Sequence, residues 1–410
     1  MNIVSTTLCY PTLTQPDRGV CVARRTAALA ARGGVSVRVV SPRLFCPLLR
    51  RRDVAPAAGH VPAERPRMFS VPVLGWGLDG LSYARTLERA IRTAGEPVDV
   101  IDAHFEYPDG VGAWLAGRRL GVSVVVTVRG KIVSLSRKAL RRMQIAAMLR
   151  GVAARIAVSR SLADWVRRIG GQDLAVEVIP NGVDADVFHP IARDTARRIL
   201  GWNQLARYIL SVGHQQWVKG FDRLLECVPA IRAACPDARF VFVGSARGER
   251  WFRRRLATLA ATCKAIAPGA KLVSFVPPVS PEELNRMYSA ADVVVNSSRS
   301  EGWCNAISEA LAVGTPVVAT NVGGNAEQVC RDELGTIVPD GDHDALASAI
   351  LTALDRRWDR DVIRAHGASR SWAQVAVETH AVLARVVAQA HRTSETLEPA
   401  ACWQPAGGTT

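Results

Sequence analysis

Short apolar runs alternate with amphipathic stretches along most of the chain. Residues 122–128 are almost wholly apolar, which is typical of a strand buried on both faces. Residues 19–32 instead space their apolar side chains at helical intervals. This alternation predicts parallel α/β sheets. The predicted strands are 2–6, 35–40, 98–103, 122–128, 155–158, 176–179, 208–212, 239–243, 272–276, 293–295 and 316–319.

The same pattern runs twice through the chain, with a turn-forming segment at residues 180–184 between the two series. Residues 41–80 are rich in Pro and Gly and predict an irregular insertion. We therefore predict two doubly wound α/β domains that face each other across a cleft, with ligands at the carboxyl ends of the strands. The expected limits are 1–184 for the first domain, 185–371 for the second, 372–392 for a helix that packs back on the first, and 393–410 for a disordered tail.

Composition narrows the class of protein. The 410 residues exceed one typical domain, and 48% are hydrophobic, which suffices for two cores. No run of 18 apolar residues predicts a membrane span, and the first residues read as a strand. The nine scattered cysteines lack metal-site spacing and are odd in number, so neither a disulfide framework nor a zinc site is expected. A reducing, cytoplasmic location is the resulting expectation.

Charge is concentrated in the first half. The formal net charge is +15, and residues 1–190 hold 27 Lys and Arg against 15 Asp and Glu. A basic surface can meet nucleic acid, anionic lipid or a phosphate-bearing substrate. Residues 137–150 combine basic residues with Leu140, Met143, Ile145 and Met148. Such a helix either rests on an anionic membrane, on its inner cytoplasmic face, or has one core face and one solvated face. Without interleaved aromatic residues or a known module, no nucleic acid is expected as a partner.

Residues 296–324 carry the strongest chemical signal. A strand leads into a turn at Gly302, a short helix follows up to Gly314, and another strand comes next. Free N–H groups at a helix N-terminus attract anions such as a diphosphate. Two carboxylates, Glu301 and Glu309, can each accept paired hydroxyls of a sugar or ribose. Either glutamate alone could be an ordinary acid favoured by the helix dipole, but the whole stretch favours a nucleotide-diphospho-sugar.

A second segment, residues 211–221, ends a strand and opens a helix. Gly213 permits close backbone approach to a ligand. Lys219 can neutralise the charge that grows on a departing diphosphate, although a lone lysine is more often simply solvated. Neither half has GxGxxG after its first strand, and no P-loop is present. The Asp-x-Asp sequences at 184–186, 340–342 and 342–344 occur in turn contexts where Asp is common, so no metal site is expected.

These segments resemble glycosyltransferase family 4, the retaining enzymes of GT-B fold, over about residues 1–390. The resemblance implies that Glu309 binds ribose and that Glu301, with the backbone of Gly302, Trp303 and Cys304, binds the sugar beside Asn305. Lys219 matches the family lysine, and His214 stands where an arginine is usual. The resemblance also implies a nucleotide-sugar donor and no metal or other cofactor.

For the first half, the resemblance implies that His104 is a functional histidine beside the transferred sugar. Arg129 and Lys131 stand where many relatives have His-Gly, and they are expected to bind a phosphate of acceptor or donor. Gly19 matches a glycine-bearing loop near the donor phosphates. Residues 105–110 are similar to a branch linked to polysaccharide assembly, which implies a glycan or lipid-linked acceptor.

The sequence thus predicts a hexosyltransferase of GT-B fold, with His104, Lys219 and Glu301 as its catalytic residues. Two alternatives are a nucleotide-sugar epimerase of the same fold and a non-catalytic nucleotide-sugar-binding protein. A nucleic-acid binder is a third, weaker alternative. The base, the sugar, the acceptor and the linkage are not determined by these patterns.

Overall fold

The computed structural model describes residues 1–46, 60–70, 77–246, 248–266 and 271–397. Parts of the predicted insertion at 41–80 and of the predicted tail lie outside these residues. The described strands are β1 (Asn2–Thr6), β2 (Ser36–Val40), β3 (Arg43–Phe45), β4 (Ala63–Glu64), β5 (Arg67–Phe69), β6 (Val100–His104), β7 (Ser123–Val128), β8 (Ala154–Ala157), β9 (Glu177–Val178), β10 (Arg207–Val212), β11 (Ala238–Val243), β12 (Val273–Val276), β13 (Val293–Asn296), β14 (Val317–Thr320) and β15 (Gly335–Val338).

Helices connect most of these strands. The described α-helices are α1 (Val20–Ala30), α2 (Asp79–Ala94), α3 (Val111–Leu120), α4 (Ile132–Leu135), α5 (Ala139–Gly151), α6 (Arg160–Gly170), α7 (Arg193–Leu200), α8 (Phe221–Ala234), α9 (Arg250–Ile266), α10 (Pro281–Ala290), α11 (Asn305–Ala312), α12 (Asn325–Gln328), α13 (His343–Asp355), α14 (Arg360–Gly367) and α15 (Trp372–Leu397).

Two parallel sheets organise the molecule. The first has the order β4-β2-β1-β6-β7-β8-β9, and the second has the order β12-β11-β10-β13-β14-β15. In each sheet the chain builds outward on both sides of its first strand, which is the doubly wound arrangement. The buried strands are rich in valine because helices cover both faces of a parallel sheet. The predicted fold class is therefore the observed one.

The sheets have separate apolar cores. Ile101, Val126 and Leu87 belong to a cluster of the first half, whereas Ile209, Phe240 and Val293 belong to a cluster of the second. The last described helix, α15, lies against the first sheet, with Val375, Val382 and Leu383 buried beside residues such as Ile3 and Val100. The chain therefore returns to its first half after completing the second sheet. The exact residue limits predicted for the domains stay a prediction.

Several elements differ from the sequence-based expectation. The described part of 41–80 is not wholly irregular, because β3, β4 and β5 lie there, and strands of two or three residues are too short to show a period. The helices α2, α4, α6, α7, α9, α12 and α14 and the strand β15 were not predicted. The α15 helix continues to Leu397, beyond the expected end at 392. No Pro or Gly interrupts it before Pro399 of the sequence.

None of the helices among the described residues is long and apolar enough to cross a bilayer. The basic helix predicted at 137–150 is α5. Ile145 and Met148 are buried in the first core, whereas Leu140 and Met143 are exposed. The helix therefore has both a core face and exposed apolar positions.

Candidate active site

The two loops at the switch point of the second sheet carry the predicted donor residues. Strands β10 and β13 are neighbours, and the strands that follow each of them lie on opposite sides of this pair. The loop after β10 brings in Lys219, and the loop after β13 brings in Glu301. The distance from Lys219 Nζ to Glu301 Oε1 is 2.7 Å. Strand order therefore unites two residues that are distant in sequence.

Glu301 is held from one side only. Its Oε1 also accepts hydrogen bonds from Ser298 Oγ at 2.7 Å and Asn296 Nδ2 at 3.4 Å. The side chain is 8% exposed. None of the described residues donates a hydrogen bond to Oε2. One oxygen is thus fixed, and the other is available to a hydroxyl group of a ligand.

Two opposing effects set the charge of Lys219. Burial by itself would lower the pKa of its ammonium group, but the neighbouring Glu301 carboxylate more than offsets burial, so the pKa lies above the usual value. The side chain is 24% exposed. Lys219 is therefore a permanently charged cation at neutral pH that can still be reached from the cleft.

The helix between the two glutamates begins later than predicted. Helix α11 starts at Asn305 with Cys304 as its N-cap, because the backbone of Cys304 is extended. Gly302 lies in the preceding loop, where a Cβ would lie 2.5 Å from the Arg129 carbonyl oxygen of the first half. Gly302 thus allows the two halves to touch backbone to backbone. The Cys304 thiol is buried, which raises its pKa to about 12 and makes it unreactive.

Glu309 lies one turn into α11. Its Oε2 accepts a hydrogen bond from the Tyr288 hydroxyl at 2.9 Å, and none of the described residues donates to Oε1. Burial raises the pKa of Glu309 to about 7, against the lowering effects of the Tyr288 hydrogen bond and of Arg24. The carboxyl group therefore titrates near neutral pH.

Trp303 and Asn305 reach toward the first half. Trp303 packs against the apolar core of that half, and its Nε1 donates to Ser308 Oγ at 3.1 Å. The Asn305 side-chain oxygen accepts a hydrogen bond from Asn181 Nδ2 at 2.9 Å. Both residues, which were predicted to bind the sugar donor, therefore also hold the two halves together.

Gly213 and His214 lie in the loop that carries Lys219. A Cβ at Gly213 would lie 3.4 Å from the Lys219 side chain, so the glycine leaves open the space beside the lysine that a larger residue would fill. His214 Nδ1 is 2.7 Å from Ser245 Oγ and 3.7 Å from Asp17 Oδ2 of the first half. His214 thus lies in the same loop as Lys219. Its predicted contact with a diphosphate stays a prediction.

His104, the predicted catalytic histidine, is fully buried. The ring has no exposed surface, and Nδ1 is 3.3 Å from Arg129 Nη2 while Nε2 is 3.0 Å from Ser5 Oγ. An arginine can only donate, so Nδ1 accepts from Arg129, whereas Nε2 lies 3.5 Å from Arg25 Nη2 and 3.4 Å from Asp102 Oδ2. Burial, then Arg25 and Arg129, lower the pKa of His104 well below its usual value. His104 is thus a neutral support of Arg129, and its expected contact with a transferred sugar stays a prediction.

Arg129 is the partly exposed member of this network. It donates from Nε to His104 Nδ1 at 3.4 Å and from Nη1 to Asn181 Oδ1 at 3.0 Å. Burial lowers its pKa to about 10, which leaves the guanidinium charged at neutral pH. Behind it, Arg25 donates to both oxygens of buried Asp102 at 2.6 Å. The asparagine at 181 was not singled out from the sequence, although it joins Arg129 to α11.

Lys131 and Gly19 both contact the loop after β1 in the first half. The Lys131 ammonium is exposed, 3.7 Å from Cys9 Sγ and 4.9 Å from the centre of the Phe105 ring. Gly19 has a φ of 71°, and a Cβ there would lie 2.0 Å from the Cys9 carbonyl oxygen. A glycine therefore stands at this position because the start of α1 packs closely against the loop after β1. A contact with donor phosphates stays a prediction.

One further residue, which was not among the predicted site residues, joins the two halves. The two carboxylate oxygens of Glu327 accept hydrogen bonds from the backbone nitrogens of Arg160 at 2.9 Å and Ser161 at 3.2 Å. Glu327 of the second half thereby caps α6 of the first. A carboxylate in this place offsets the free N–H groups of a helix N-terminus.

The Asp-x-Asp sequences have structural partners. Asp184 pairs with Arg24, Asp340 pairs with Arg223 at 2.6 Å, and Asp342 accepts from the Ala345 nitrogen at the start of α13. Within the described residues, no group of three or more His, Cys, Asp or Glu side chains could hold a metal ion. Independence from metal stays a prediction about the reaction.

Both halves of the chain match models of known protein families. The family model described as Glycosyltransferase Family 4 matches residues 19–187, and that described as Glycosyl transferases group 1 matches residues 206–356. The D-inositol 3-phosphate glycosyltransferase of Xylanimonas cellulosilytica is 33% identical over 295 residues, which cover 66% of this chain and 68% of that protein. The chain belongs to glycosyltransferase family 4. The predicted family and enzyme class are thereby confirmed.

Solved structures support the fold of this glycosyltransferase. Sucrose-phosphate synthase from Thermosynechococcus elongatus superimposes with a TM-score of 0.76 at 22% identity, covering 95% of this chain and 100% of that one. HepE of Anabaena, in complex with UDP and glucose, gives a TM-score of 0.68 at 19% identity over 97% of this chain and all of its own. At these identities the likeness confirms the GT-B architecture.

Proposed function

We propose that this enzyme transfers a hexose, with retention, from a nucleotide-diphospho-sugar to a hydroxyl group of a phosphate-bearing acceptor. One observation carries the proposal: Glu301, which pairs with Lys219 at 2.7 Å, lies in the loop that opens α11, and this loop meets Arg129 of the first half at the backbone of Gly302. A sugar-binding carboxylate and a cation for the leaving group thus stand at one point of the cleft.

On the donor side, each carboxylate offers one oxygen. The open Oε2 of Glu301 would accept sugar hydroxyls, and the open Oε1 of Glu309 would accept the ribose hydroxyls. The N–H groups at the start of α11 would face the diphosphate. As the bond between the sugar and the phosphate breaks, the ammonium of Lys219 stabilises the growing negative charge. HepE, solved with UDP and with glucose, supports a nucleotide-sugar as donor.

On the acceptor side, Arg129 presents a cation whose guanidinium donates to neutral acceptors, His104 and Asn181. Such a group binds phosphate well because its planar N–H groups match phosphate oxygens. The names of the D-inositol 3-phosphate and sucrose-phosphate enzymes both include a phosphorylated polyhydroxy compound, which supports a phosphate-bearing acceptor. A role in polysaccharide or lipid-linked glycan assembly stays a prediction. Nothing in the comparisons favours the epimerase or the non-catalytic alternative.

A cytoplasmic enzyme that touches the inner face of the membrane is part of this proposal. Leu140 and Met143 of α5 are 55% and 67% exposed, with Arg141 and Arg142 between them. An apolar and basic helix surface of this kind favours an anionic bilayer interface.

A panel of nucleotide-sugars tested by thermal shift identifies the donor, since a ligand that binds the folded form raises the apparent melting temperature. We expect one donor class to shift the parent, Glu309→Ala to lose the shift, and the exposed Glu282→Ala to keep it. His104→Ala should keep the shift and lose transfer to inositol 3-phosphate, because the imidazole supports Arg129. If no nucleotide-sugar shifts the parent, or Glu309→Ala shifts like the parent, the proposal is wrong.

A further inference from the structure

A second concave site lies at the outer edge of the first sheet. Its cavity has a volume of about 800 Å³ and is formed between the segment after the edge strand β4 and helix α2. None of the donor or acceptor residues described above lines it. Its charged lining comprises Arg65, Arg67, Arg85, Arg89 and Glu64.

The carboxylates near this cavity are already paired elsewhere. Glu64 is 3.2 Å from Arg38, and Glu88 of α2 pairs with Arg92 at 3.2 Å and Arg119 at 3.4 Å. No described carboxylate forms an ion pair with Arg85 or Arg89, the two arginines of α2 that line the cavity. The cavity therefore carries an excess of positive charge.

The arginines are placed on facing walls. Arg85 and Arg89 stand four residues apart on one exposed face of α2, where like charges repel and destabilise a helix. Arg65 on the other wall donates to the carbonyl oxygen of Pro11 at 2.6 Å and to Ser41 Oγ at 3.3 Å, both neutral acceptors. An anion between the walls would relieve the repulsion and receive several N–H donors.

We propose that this cavity binds a phosphate group, at a site separate from the donor cleft. Guanidinium groups match phosphate oxygens in geometry and charge, and no metal or deep burial is needed. Two exposed apolar side chains lie beside the arginines: Phe69 follows Arg67 on the same side of β5, and Leu81 precedes Arg85 by one helical turn. A lipid headgroup or a soluble phosphate compound can therefore supply the phosphate.

The test compares the full chain with the double variant Arg85→Gln, Arg89→Gln. Glutamine preserves helix propensity and removes the charge. The matched control is Arg253→Gln, Arg254→Gln, which removes two exposed arginines from α9 in the second half. One arm measures cosedimentation with vesicles of phosphatidylcholine alone and of equal parts phosphatidylcholine and phosphatidylglycerol. The other arm titrates inorganic pyrophosphate by calorimetry, and only binding that depends on Arg85 and Arg89 reports this cavity.

We expect the parent and the control to bind one of the two phosphate sources, and the cavity variant to bind it about 30-fold more weakly. Loss confined to the anionic vesicles assigns the site to a lipid headgroup. Loss confined to pyrophosphate assigns it to a soluble compound. If the cavity variant and the control bind both sources equally, the proposal is overturned. Circular dichroism of the cavity variant ensures that a loss does not come from unfolding.

Discussion

The two halves of this enzyme present opposite kinds of site to the same cleft. In the second half, Lys219 and Glu301 form a pair in which cation and carboxylate balance each other. In the first half, the Arg129 guanidinium donates to a neutral histidine and an amide, and Asp102, 3.4 Å from His104 Nε2, is bound to Arg25. The second half thus offers hydroxyl acceptors with one cation, and the first half offers a cation.

This difference suits two different substrates. A donor sugar presents hydroxyl groups to carboxylates, and its diphosphate gains charge only as the reaction proceeds, so a balanced pair favours the transition state over the bound donor. An acceptor that carries phosphate holds its charge throughout, so Arg129, which forms no ion pair with a described carboxylate, binds it before reaction. The contrast predicts that changes in the second half lower kcat, and that changes around Arg129 raise the KM for the acceptor.

The largest effect is expected from the Glu301–Lys219 pair. Lys219→Met removes the cation that stabilises the departing diphosphate, and we expect kcat to fall by about 100- to 1,000-fold. The parallel change Glu301→Gln keeps the size of the side chain and should also reduce kcat strongly. Steady-state rates with the donor found in the panel measure both. Glu282→Gln, an exposed carboxylate of α10, should behave like the parent. Parent-like rates for Lys219→Met would contradict the assignment.

Contact between the halves gives the next effect. In Gly302→Ala, the new Cβ would lie 2.5 Å from the Arg129 carbonyl oxygen, so the loops must separate. We expect kcat to fall by about 100-fold, since a misplacement of about 1 Å can have that effect. X-ray scattering should show a larger radius of gyration.

Gly33→Ala is the matched control, because a Cβ at that position meets no atom within 4 Å. An unchanged rate in Gly302→Ala, together with unchanged scattering, would show that closure of these loops is not needed for transfer.

The first half is tested by Arg129→Gln. Loss of a charged hydrogen bond to a phosphate weakens binding by about 1.5–3 kcal/mol, so the KM for a phosphate-bearing acceptor should rise by about 10- to 100-fold. The donor-induced thermal shift should not change. The KM of the parent and of Arg129→Gln is measured with inositol 3-phosphate and with inositol as acceptors. The increase in KM should be absent with inositol, which carries no phosphate. An equal effect on both acceptors would contradict phosphate recognition by Arg129.

The smallest effect is a pH dependence set by Glu309. Its pKa in the folded protein, about 7, lies above the 4.5 of the free side chain. The folded stability of the empty enzyme should therefore decrease as pH rises from about 4.5 to 7, because the unfolded chain loses this proton more easily than the folded protein does. Donor hydroxyls require the ionised form. Below pH 7, donor affinity should therefore fall by about tenfold per pH unit. Calorimetric titrations at several pH values measure this slope, and Glu309→Gln should flatten it. A slope that persists in Glu309→Gln would assign it to another group.

Much of the second half could be predicted from the sequence because its chemistry is local. Residues 296–324 contain a strand, a loop, a helix and both glutamates, so spacing alone predicted their arrangement. Most strands of both sheets were predicted for a similar reason, since burial on two faces leaves a nearly continuous apolar run, whereas the edge strands β4 and β15 were not. The start of α11 was predicted a few residues too early, because Gly302 was taken as the turn that opens the helix. The structure shows that a glycine is needed at this position because the backbone of Arg129 packs against it.

The amino-acid sequence by itself determined the parallel α/β architecture, the family and the candidate donor segment, because these depend on local periodicity and on residues close together in the chain. Only the tertiary structure decided that His104 lies beneath Arg129, that Glu327 caps α6, and that four arginines line one cavity. These relations join residues from separate loops and from different halves. They depend on strand order and on how the halves meet, and neither leaves a periodic trace in the sequence.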